Sequence, residues 1–427
     1  MRTSSFGPAG MLRRFYALRV VGTLANQLLQ FAIPVLVYTK SGSVGWSGIS
    51  LFLEWLPRLT SLPLAGPLVD RLGVRRVYVV NDIVRCVTAA GATVVATVLR
   101  GTAAIAAIVV LGLVAGSCFE QTFIAEEKAV RLLASPAQMP RAQSVLGGID
   151  QAMLLIAPAI GGLLLAIASN STIAAAAILF AVSLLLIWRL PVLSQARMAD
   201  GWPSVAEVFS DVRAGAKRVL GQPVLRDVLA LTSLINLLLG LVLAATPPVL
   251  IGVFRLRASQ VGVLYTVGGS VSLVMLALTP RLIRRFGLLA VGAASTLCCG
   301  AAIWLAGLVH AYLPFAAFSA AFLAGESVFT VFIRTVRARV IPAAEYGTAT
   351  GVIVLIGFLT LPLAGLLVAG FSRTSWPLSL LYVIAGGATF ILALGILAHL
   401  SRLMPRANTA RSYELVHALG DETPNEL

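Results

Sequence analysis

Long apolar runs separated by short polar connections occupy almost the whole chain of 427 residues. Each run is long enough to cross the hydrocarbon core of a bilayer as a helix, which needs about 20 residues. Hydrophobic residues make up 59% of the sequence and charged residues only 11%, whereas a soluble domain carries about 25% charged residues. Because lipid offers no water to the backbone, such runs must be helical. The sequence predicts an all-α membrane protein and excludes a soluble one.

Twelve transmembrane helices are predicted, and one long polar connection divides them into two six-helix bundles. The predicted domains are an N-terminal bundle over 1–190, a cytoplasmic linker over 191–225, a C-terminal bundle over 226–404, and a disordered cytoplasmic tail over 405–427. Apolar residues recur at helical spacing from Val205 to Val212, which predicts an amphipathic helix on the membrane surface. The predicted spans are 15–38, 46–69, 77–99, 103–126, 143–168, 171–190, 226–250, 260–283, 288–309, 312–334, 347–371 and 376–401.

The basic residues are distributed unevenly between the two sets of connections. Of 32 Lys and Arg residues, 25 belong to the set that includes both termini, and 5 belong to the other set. The positive-inside rule therefore predicts a multi-pass protein of the cell inner membrane with both termini in the cytoplasm. The net charge of +15 is not a nucleic-acid signal, because the charges form small clusters without interleaved aromatic residues. The four cysteines lie inside apolar runs without metal-ligand spacing, so no metal and no cofactor is expected.

A short charged turn joins the second and third predicted spans. It reads Gly-Pro-Leu-Val-Asp-Arg-Leu-Gly-Val-Arg-Arg over residues 66–76. One acid, Asp70, lies between Gly66 and Gly73 and is followed by three arginines, Arg71, Arg75 and Arg76. The two helices must therefore pack closely at one membrane face. This pattern is typical of a moving joint in a transporter.

The two halves of the chain repeat each other. An offset of 214 positions relates Pro34 to Pro248 and residues 70–73 to residues 284–287. An offset of 206 relates Glu120 to Glu326. Several matches in order at nearly constant offset indicate a parallel repeat of two six-helix bundles.

With twelve spans, a 6+6 repeat, a long central loop and the GPLVDRLGVRR turn, the chain resembles the major facilitator superfamily over essentially its whole length. Three further segments resemble the drug and siderophore exporter branch, which includes enterobactin exporters: residues 43–48, Leu56-Pro57, and Asn81-Asp82 with Arg85. The segment APAIGG at 157–162 resembles the Gly/Pro motif of antiporters and favours export. In contrast to many proton antiporters of that superfamily, residues 111–116 of the fourth span contain no arginine.

The resemblance implies that Asp70 closes the cytoplasmic side by lying near a helix N-terminus of the opposite half, where a carboxylate is favoured. The second copy of the turn has Arg284 at that position, so the closing contact is expected mainly in the first half. A solvated positive-inside cluster is the alternative interpretation. Arg71, Arg75 and Arg76 are expected to pair with an acid at the end of the fourth span, Glu126 or Glu127.

The acidic residues inside predicted spans include Glu54, Glu120, Asp150 and Glu326. A charged residue at mid-span costs roughly 2.5–3.5 kcal/mol on insertion scales, so each is a candidate functional residue. Glu54 and Arg58 stand at i,i+4, which predicts an ion pair within one helix that serves either the substrate or the structure. Asp82 and Arg85 are three apart, and a structural pair is favoured there.

The resemblance places the first, fourth, seventh and tenth spans around a central cavity, and so places Glu120 and Glu326 near it. Neither glutamate has an opposite charge one turn away, so each is a candidate for exchanging a proton against the substrate. In the alternative interpretation, each carboxyl group forms a hydrogen bond with a neighbouring hydroxyl or backbone group and only packs the bundle. Asp150 is a further candidate one helix away. Asn26, Gln30 and Asn236 can hydrogen-bond a substrate or hold helices together.

The sequence thus predicts a monomeric secondary transporter in the bilayer that exports a small amphipathic molecule, a drug or a siderophore-like metallophore, by alternating access and in exchange for protons. An importer of a metal–siderophore complex or another small nutrient is the alternative on the same fold. No Walker phosphate loop is present, so this chain is not expected to consume ATP. A membrane sensor or an enzyme is disfavoured, because there is no nucleophile–base constellation.

Overall fold

The computed structural model describes residues 8–135, 138–188, 205–341 and 346–420. Every regular element in these ranges is helical. The helices are α1 (Pro8–Ser41), α2 (Val44–Leu72), α3 (Val74–Val98), α4 (Thr102–Leu133), α5 (Met139–Ile167), α6 (Ser171–Trp188), α7 (Val205–Gly221), α8 (Pro223–Pro248), α9 (Ala258–Phe286), α10 (Leu288–Leu308), α11 (Tyr312–Val340), α12 (Tyr346–Phe358), α13 (Thr360–Phe371) and α14 (Leu378–Gly420). A short π-helical turn, Val249–Val253, extends α8.

Eleven of the described helical segments, with α12 and α13 counted as one, are long and apolar enough to cross a membrane. The helix α2 takes the place of the second predicted span. Its 29 residues suffice in length, but Glu54 and Arg58 make it more polar than the eleven. The predicted fold class, an all-α membrane protein, is confirmed. The outer faces support it, because α3 exposes Val80, Val87 and Val94 in a stripe that suits lipid rather than water.

Two differences from the predicted spans concern the second half. The eleventh span is interrupted at Leu359, whose N–H bonds both Leu355 O and Ile356 O, so that α12 and α13 are separate helices. The last helix continues to Gly420, through much of the segment predicted to be disordered; alanine, leucine, arginine and glutamate there are good helix formers. Residues 421–427 of the predicted tail lie outside the described residues.

The predicted helix of the central linker corresponds to α7. It packs against α8 and α12, at the end of the bundle where α8 begins. Val219 near its end is fully buried in the core of the second half. The first part of the linker, residues 189–204, lies outside the described residues.

Glycine permits the two tight turns that the repeat predicts. Gly73 between α2 and α3 has φ 77°, and Gly287 between α9 and α10 has φ 85°. Both donate their N–H to the preceding helix, Gly73 to Val69 O and Gly287 to Ile283 O. A side chain is disfavoured at such φ values, so glycine allows each pair of helices to reverse within one residue.

We call the end of the bundle at which α1 begins and α2 ends the near end, and the other the far end. At the far end the two halves touch through backbone. A Cβ on Gly48 of α2 would overlap the carbonyl oxygen of Gly365 in α13, and one on Gly262 of α9 would overlap that of Pro158 in α5. Ser47 also donates to Ala244 O across the two halves, at 2.8 Å.

Toward the near end the same helices are less crowded. A Cβ would meet no atom within 4 Å at Gly66 of α2, at Gly147 and Gly148 of α5, or at Gly351 of α12. The two halves are therefore in backbone contact at the far end. This positions any central site so that it is sealed from the far end.

Candidate functional site

A close crossing of α2 and α4 builds the candidate site in the first half. A Cβ on Gly116 of α4 would overlap the carbonyl oxygen of Glu54 in α2, so only glycine allows the two backbones to approach this far. The crossing brings Glu54 and Arg58 of α2 beside Phe119 and Glu120 of α4. Three charged side chains thus meet between these two helices.

Arg58 forms an ion pair with Glu120. Its Nε atom donates to Glu120 Oε1 at 2.6 Å, and both side chains are largely buried. The guanidinium also lies between two aromatic rings, 3.5 Å from the centroid of Phe119 and 4.3 Å from that of Trp55. Cation–π attraction at these distances strengthens when the groups are withdrawn from water, so the rings hold Arg58 on the Glu120 side.

Glu54 is left without an ion-pair partner among the described residues. It is 8% exposed, and its Oε2 atom has no hydrogen-bond partner there. The predicted i,i+4 pair between Glu54 and Arg58 is therefore wrong in this conformation, because Arg58 is directed toward α4 by Glu120 and the two rings. The prediction that Glu120 has no cationic partner is corrected as well: none stands one turn away in α4, but α2 supplies Arg58.

Glu54 and Arg58 line a small pocket within the first half. The other lining residues are Asn26, Leu29, Gln30, Ala115, Gly116 and Phe119. The space measures about 20 Å³, which is room for about one water molecule. A larger depression of about 470 Å³ lies at the far end, but none of the described residues that line it is titratable. We therefore regard the smaller pocket as the candidate site.

Asn26 connects this pocket to a buried polar network. Its Oδ1 atom accepts a hydrogen bond from Arg85 Nη1 at 2.9 Å. Arg85 pairs with Asp82 at 2.5 Å, and Asp82 accepts from Ser183 of α6. The pair predicted between Asp82 and Arg85 is present and fully buried, as a structural element requires. Gln30, one turn after Asn26 on α1, also lines the pocket.

Glu326 has a different environment from Glu120. It is half-buried in α11 and accepts a hydrogen bond from Thr330 Oγ1 at 2.9 Å. No ion pair to it is formed within the described ranges. At the repeat offset of 214, Glu54 corresponds to Gly268 and Arg58 to Ser272, so the second half contains no equivalent charges. The two glutamates are related in sequence, but their surroundings are not.

Asn236 of α8 is buried, with 8% of its surface exposed, and its Nδ2 atom has no hydrogen-bond partner among the described residues. A residue that held two helices together would donate to the neighbouring helix. Asn236 makes no such bond in the part of the chain that the structure describes. The alternative in which it joins helices is therefore not supported in this conformation.

A second charged cluster lies nearer the near end and includes two of the predicted residues. Arg19 of α1 donates to both carboxylate oxygens of Asp150, at 2.7 and 3.0 Å, and forms an ion pair with Glu126. Tyr78 of α3 donates to Glu126. Arg19 therefore ties α1 to α4 and α5, and Asp150 is not a free acid of the cavity.

The sequence interpretation overlooked Arg19, although an arginine inside the first apolar run was the available signal. Glu126 was expected to pair with an arginine of the charged turn, and Arg19 takes that role instead. Arg75 donates to Trp188 O at 3.5 Å and lies 5.4 Å from the ring of Trp188. Arg71 and Glu127 are half-buried near the same end, and Arg76 is exposed.

Asp70 in the charged turn is exposed and pairs with Lys128 of α4 at 2.7 Å. Its partner thus belongs to the same half, whereas the resemblance implies a contact with the opposite half when the cytoplasmic side is closed. The contact that the resemblance implies is therefore not the one that the structure shows. Gly66 lies in open space and Gly73 forms the turn, as described above.

These features define a class: an α-helical membrane protein with paired charged side chains buried between its helices. The comparisons then identify the family. The family model described as Major Facilitator Superfamily matches residues 15–361, and the chain belongs to that family. No curated protein matches the chain by sequence.

Three solved structures share the fold but are distant in sequence. A crystal structure of a point mutant of the nucleoside transporter NupG superposes with a TM-score of 0.75 at 12% identity, covering 91% of this chain and 99% of that one. A bacterial homologue of the iron transporter ferroportin, in an inward-facing state, gives 0.68 at 16% identity, covering 93% and 100%. A D-xylose–proton symporter gives 0.69 at 13% identity, covering 89% and 97%. At these identities the likeness establishes the fold and leaves the substrate open.

Proposed function

We propose that this chain exports a small, amphipathic, positively charged compound in exchange for protons, and that Glu54 is the residue that binds either the proton or the cation. The observation that carries this proposal is the buried Oε2 atom of Glu54, which lines the pocket without a hydrogen-bond partner among the described residues. Within a membrane, a buried ionisable residue is a functional candidate by default. Among the acids predicted as coupling sites, Glu54 combines burial with a pocket and a missing partner.

Charge balance supports this role. With both acids ionised, Glu54 and Glu120 share one arginine, so the site carries one excess negative charge. An uncompensated charge in apolar surroundings is costly, and binding one cation or one proton removes the cost. The two ligands compete for one carboxylate, and this competition is the simplest form of coupled exchange.

The aromatic residues favour an organic cation. Trp55 and Phe119 present ring faces beside the pocket, where they now hold the Arg58 guanidinium. A substrate cation with apolar groups can use the same ring faces and the apolar lining of Leu29 and Ala115. A metal-bearing siderophore, the other predicted cargo, is usually larger and richer in oxygen, and the aromatic lining favours it less.

Alternating access is the transport mechanism that we propose for this fold. The glycine crossings bring the two halves into backbone contact at the far end. We propose that the near end faces the cytoplasm, since the excess of Lys and Arg lies in the connections of that end. The protein would then be a monomer of the inner membrane, with both termini cytoplasmic.

The proposal is tested in everted membrane vesicles with an imposed pH gradient. The probes are rhodamine 6G and tetraphenylphosphonium, two amphipathic cations. Wild type is expected to accumulate both in a gradient-dependent manner and to release protons on probe addition. Glu54→Gln keeps the size of the side chain but cannot exchange a proton at this site, so gradient-driven accumulation is expected to fall at least tenfold.

Glu326→Gln is the matched control, because it makes the same change at an acid that bonds Thr330 and lies outside the pocket lining. It is expected to retain most of the accumulation. Equal gradient-driven transport by Glu54→Gln and wild type would falsify the role of Glu54. Accumulation in right-side-out instead of everted vesicles would favour the importer, the alternative function on the same fold.

A further inference from the structure

The pocket between α1, α2 and α4 is small enough to define the group that it can hold. Its volume of about 20 Å³ is room for about one water molecule, so its lining residues surround a single ligand atom. Four of the eight lining residues are polar or charged: Asn26, Gln30, Glu54 and Arg58. A space of this size with several polar neighbours suits one small polar or charged group.

The unsatisfied group in this lining is the carboxylate of Glu54. Its Oε2 atom is buried and has no hydrogen-bond partner among the described residues. Arg58 also lines the pocket, but its charge is balanced by Glu120 at 2.6 Å. A group that fills the pocket must therefore donate hydrogen bonds, and a positive charge on it compensates the carboxylate.

The two amide side chains that α1 contributes differ in their partners. Asn26 Oδ1 accepts from Arg85 Nη1 at 2.9 Å, and a guanidinium can only donate, so this contact fixes the oxygen toward Arg85. Gln30 lines the same pocket and forms no hydrogen bond within the described ranges. Its amide oxygen is therefore available as a second acceptor for the group that binds Glu54.

The size of the pocket distinguishes between two kinds of organic cation. A primary ammonium group has one heavy atom, as water has, and three N–H donors. A quaternary ammonium group has three more carbon atoms and no N–H, so it depends on aromatic ring faces. The Arg58 guanidinium already lies against these faces, 3.5 Å from the centroid of Phe119 and 4.3 Å from that of Trp55. The primary ammonium group fits without displacing Arg58.

We propose that this pocket is an ammonium subsite, in which a primary ammonium group of the substrate donates to Glu54 and to Gln30. This inference rests on the proposed function and narrows its substrate class to amphipathic primary amines. Such amines are protonated at neutral pH, as the side chain of lysine is. The remainder of the substrate lies outside the ammonium subsite, because the space admits only the head group.

The first test compares two head groups on one tail. Isothermal titration measures the binding of phenethylammonium and phenethyltrimethylammonium to the purified protein in detergent at neutral pH. The ratio of the two dissociation constants largely cancels the contribution of the shared tail. Wild type is expected to bind the primary amine at least tenfold more tightly, since the trimethyl head group has no N–H and exceeds the pocket. Equal affinities would mean that the pocket holds only water, and they overturn the subsite.

The second test removes the second acceptor. Gln30→Leu deletes one hydrogen bond from a charged donor, so the preference for the primary amine is expected to fall roughly tenfold. Gln27→Leu is the matched control, because Gln27 is also half-buried on α1 but does not line the pocket. It is expected to keep the wild-type preference. Equal losses in the two variants, or a lower melting temperature of Gln30→Leu with an unchanged preference, would assign Gln30 a structural role and overturn its part in the subsite.

The outcomes separate this inference from the proposed function. If vesicles move rhodamine 6G and tetraphenylphosphonium in a manner that depends on Glu54, but the purified protein binds both head groups equally, the ammonium subsite is wrong and the proposed function stands. If vesicles move neither cation, but the primary amine is preferred and Gln30→Leu removes the preference, the subsite stands and the export of cations is wrong. Transport that depends on Glu54, together with a preference that depends on Gln30, supports both.

Discussion

The Nε atom of Arg58 lies 2.6 Å from the Oε1 atom of Glu120, so the single arginine of the pocket is committed to α4. Glu54 lies one turn before Arg58 on α2, and its Oε2 atom has no hydrogen-bond partner among the described residues. The two glutamates of the site therefore differ in their neighbours. Glu120 is neutralised by Arg58, and Glu54 is open to a ligand. The coupling proposal depends on this asymmetry.

A double-mutant cycle measures the asymmetry directly. Arg58→Met combined with Glu120→Gln is expected to show a coupling of about 1–3 kcal/mol in the free energy of unfolding, because the pair is largely buried. Arg58→Met combined with Glu54→Gln is expected to show less than about 0.5 kcal/mol. Denaturant unfolding in mixed micelles provides both values. A larger coupling with Glu54 would mean that the pairing shown by the structure is not the dominant one.

The cluster around Arg19 is expected to serve stability. Arg19→Met leaves Glu126 buried with only Tyr78 as a partner among the described residues, and an uncompensated buried charge costs about 3–5 kcal/mol. Asp150→Asn removes a half-exposed partner and is expected to cost about 1 kcal/mol. Thermal unfolding compares the two, with Arg100→Met at an exposed position as the control. Equal losses for Arg19→Met and Arg100→Met would contradict a structural role for the cluster.

The helices could be predicted because their signal is local. Apolar runs of bilayer length indicated eleven of the twelve spans by composition alone, and the second was recognised despite Glu54 and Arg58. The Asp82–Arg85 pair could be predicted for the same reason, since its members are three residues apart on one helix. The tight turn at Gly73 was visible from a glycine within a short charged segment, between Arg71 and Arg75.

The sequence indicated most of the residues of the site, but not which of them form ion pairs with each other. Arg58 and Glu120 are 62 positions apart, and Arg19 and Asp150 are 131 apart, so their contacts depend on how closely the helices cross. Gly116 has no side chain and so permits the close approach of α4 to α2. This effect of a glycine on the distance between two helices cannot be predicted from a single sequence. The 206-residue offset related Glu120 to Glu326 but could not show that the arginine partner exists in only one half of the described chain.

Asp70 offers a test of the charged turn as a gate. Its ion pair with Lys128 is exposed, and such pairs contribute roughly 0–1 kcal/mol, so Asp70→Asn is expected to leave the melting temperature nearly unchanged. If the carboxylate stabilises the closed near end through a helix N-terminus of the other half, transport falls about tenfold. Lys128→Gln breaks the same pair but keeps Asp70, and it is expected to retain transport. Equal defects in the two variants would assign the effect to the pair and not to a gate.

The contact between Gly48 and Gly365 predicts how the far end closes. A methyl group at Gly48 would overlap the backbone carbonyl of Gly365, which cannot rotate away as a side chain can. Overpacking of this kind costs about 1–3 kcal/mol, enough to lower the closed population roughly tenfold in Gly48→Ala. Spin labels at Trp46 and Thr374, in a cysteine-free background, are expected to report longer distances in double electron–electron resonance. Gly91→Ala, where a Cβ meets no atom within 4 Å, is the control, and a distance distribution unchanged from that control would show that this crossing does not seal the far end.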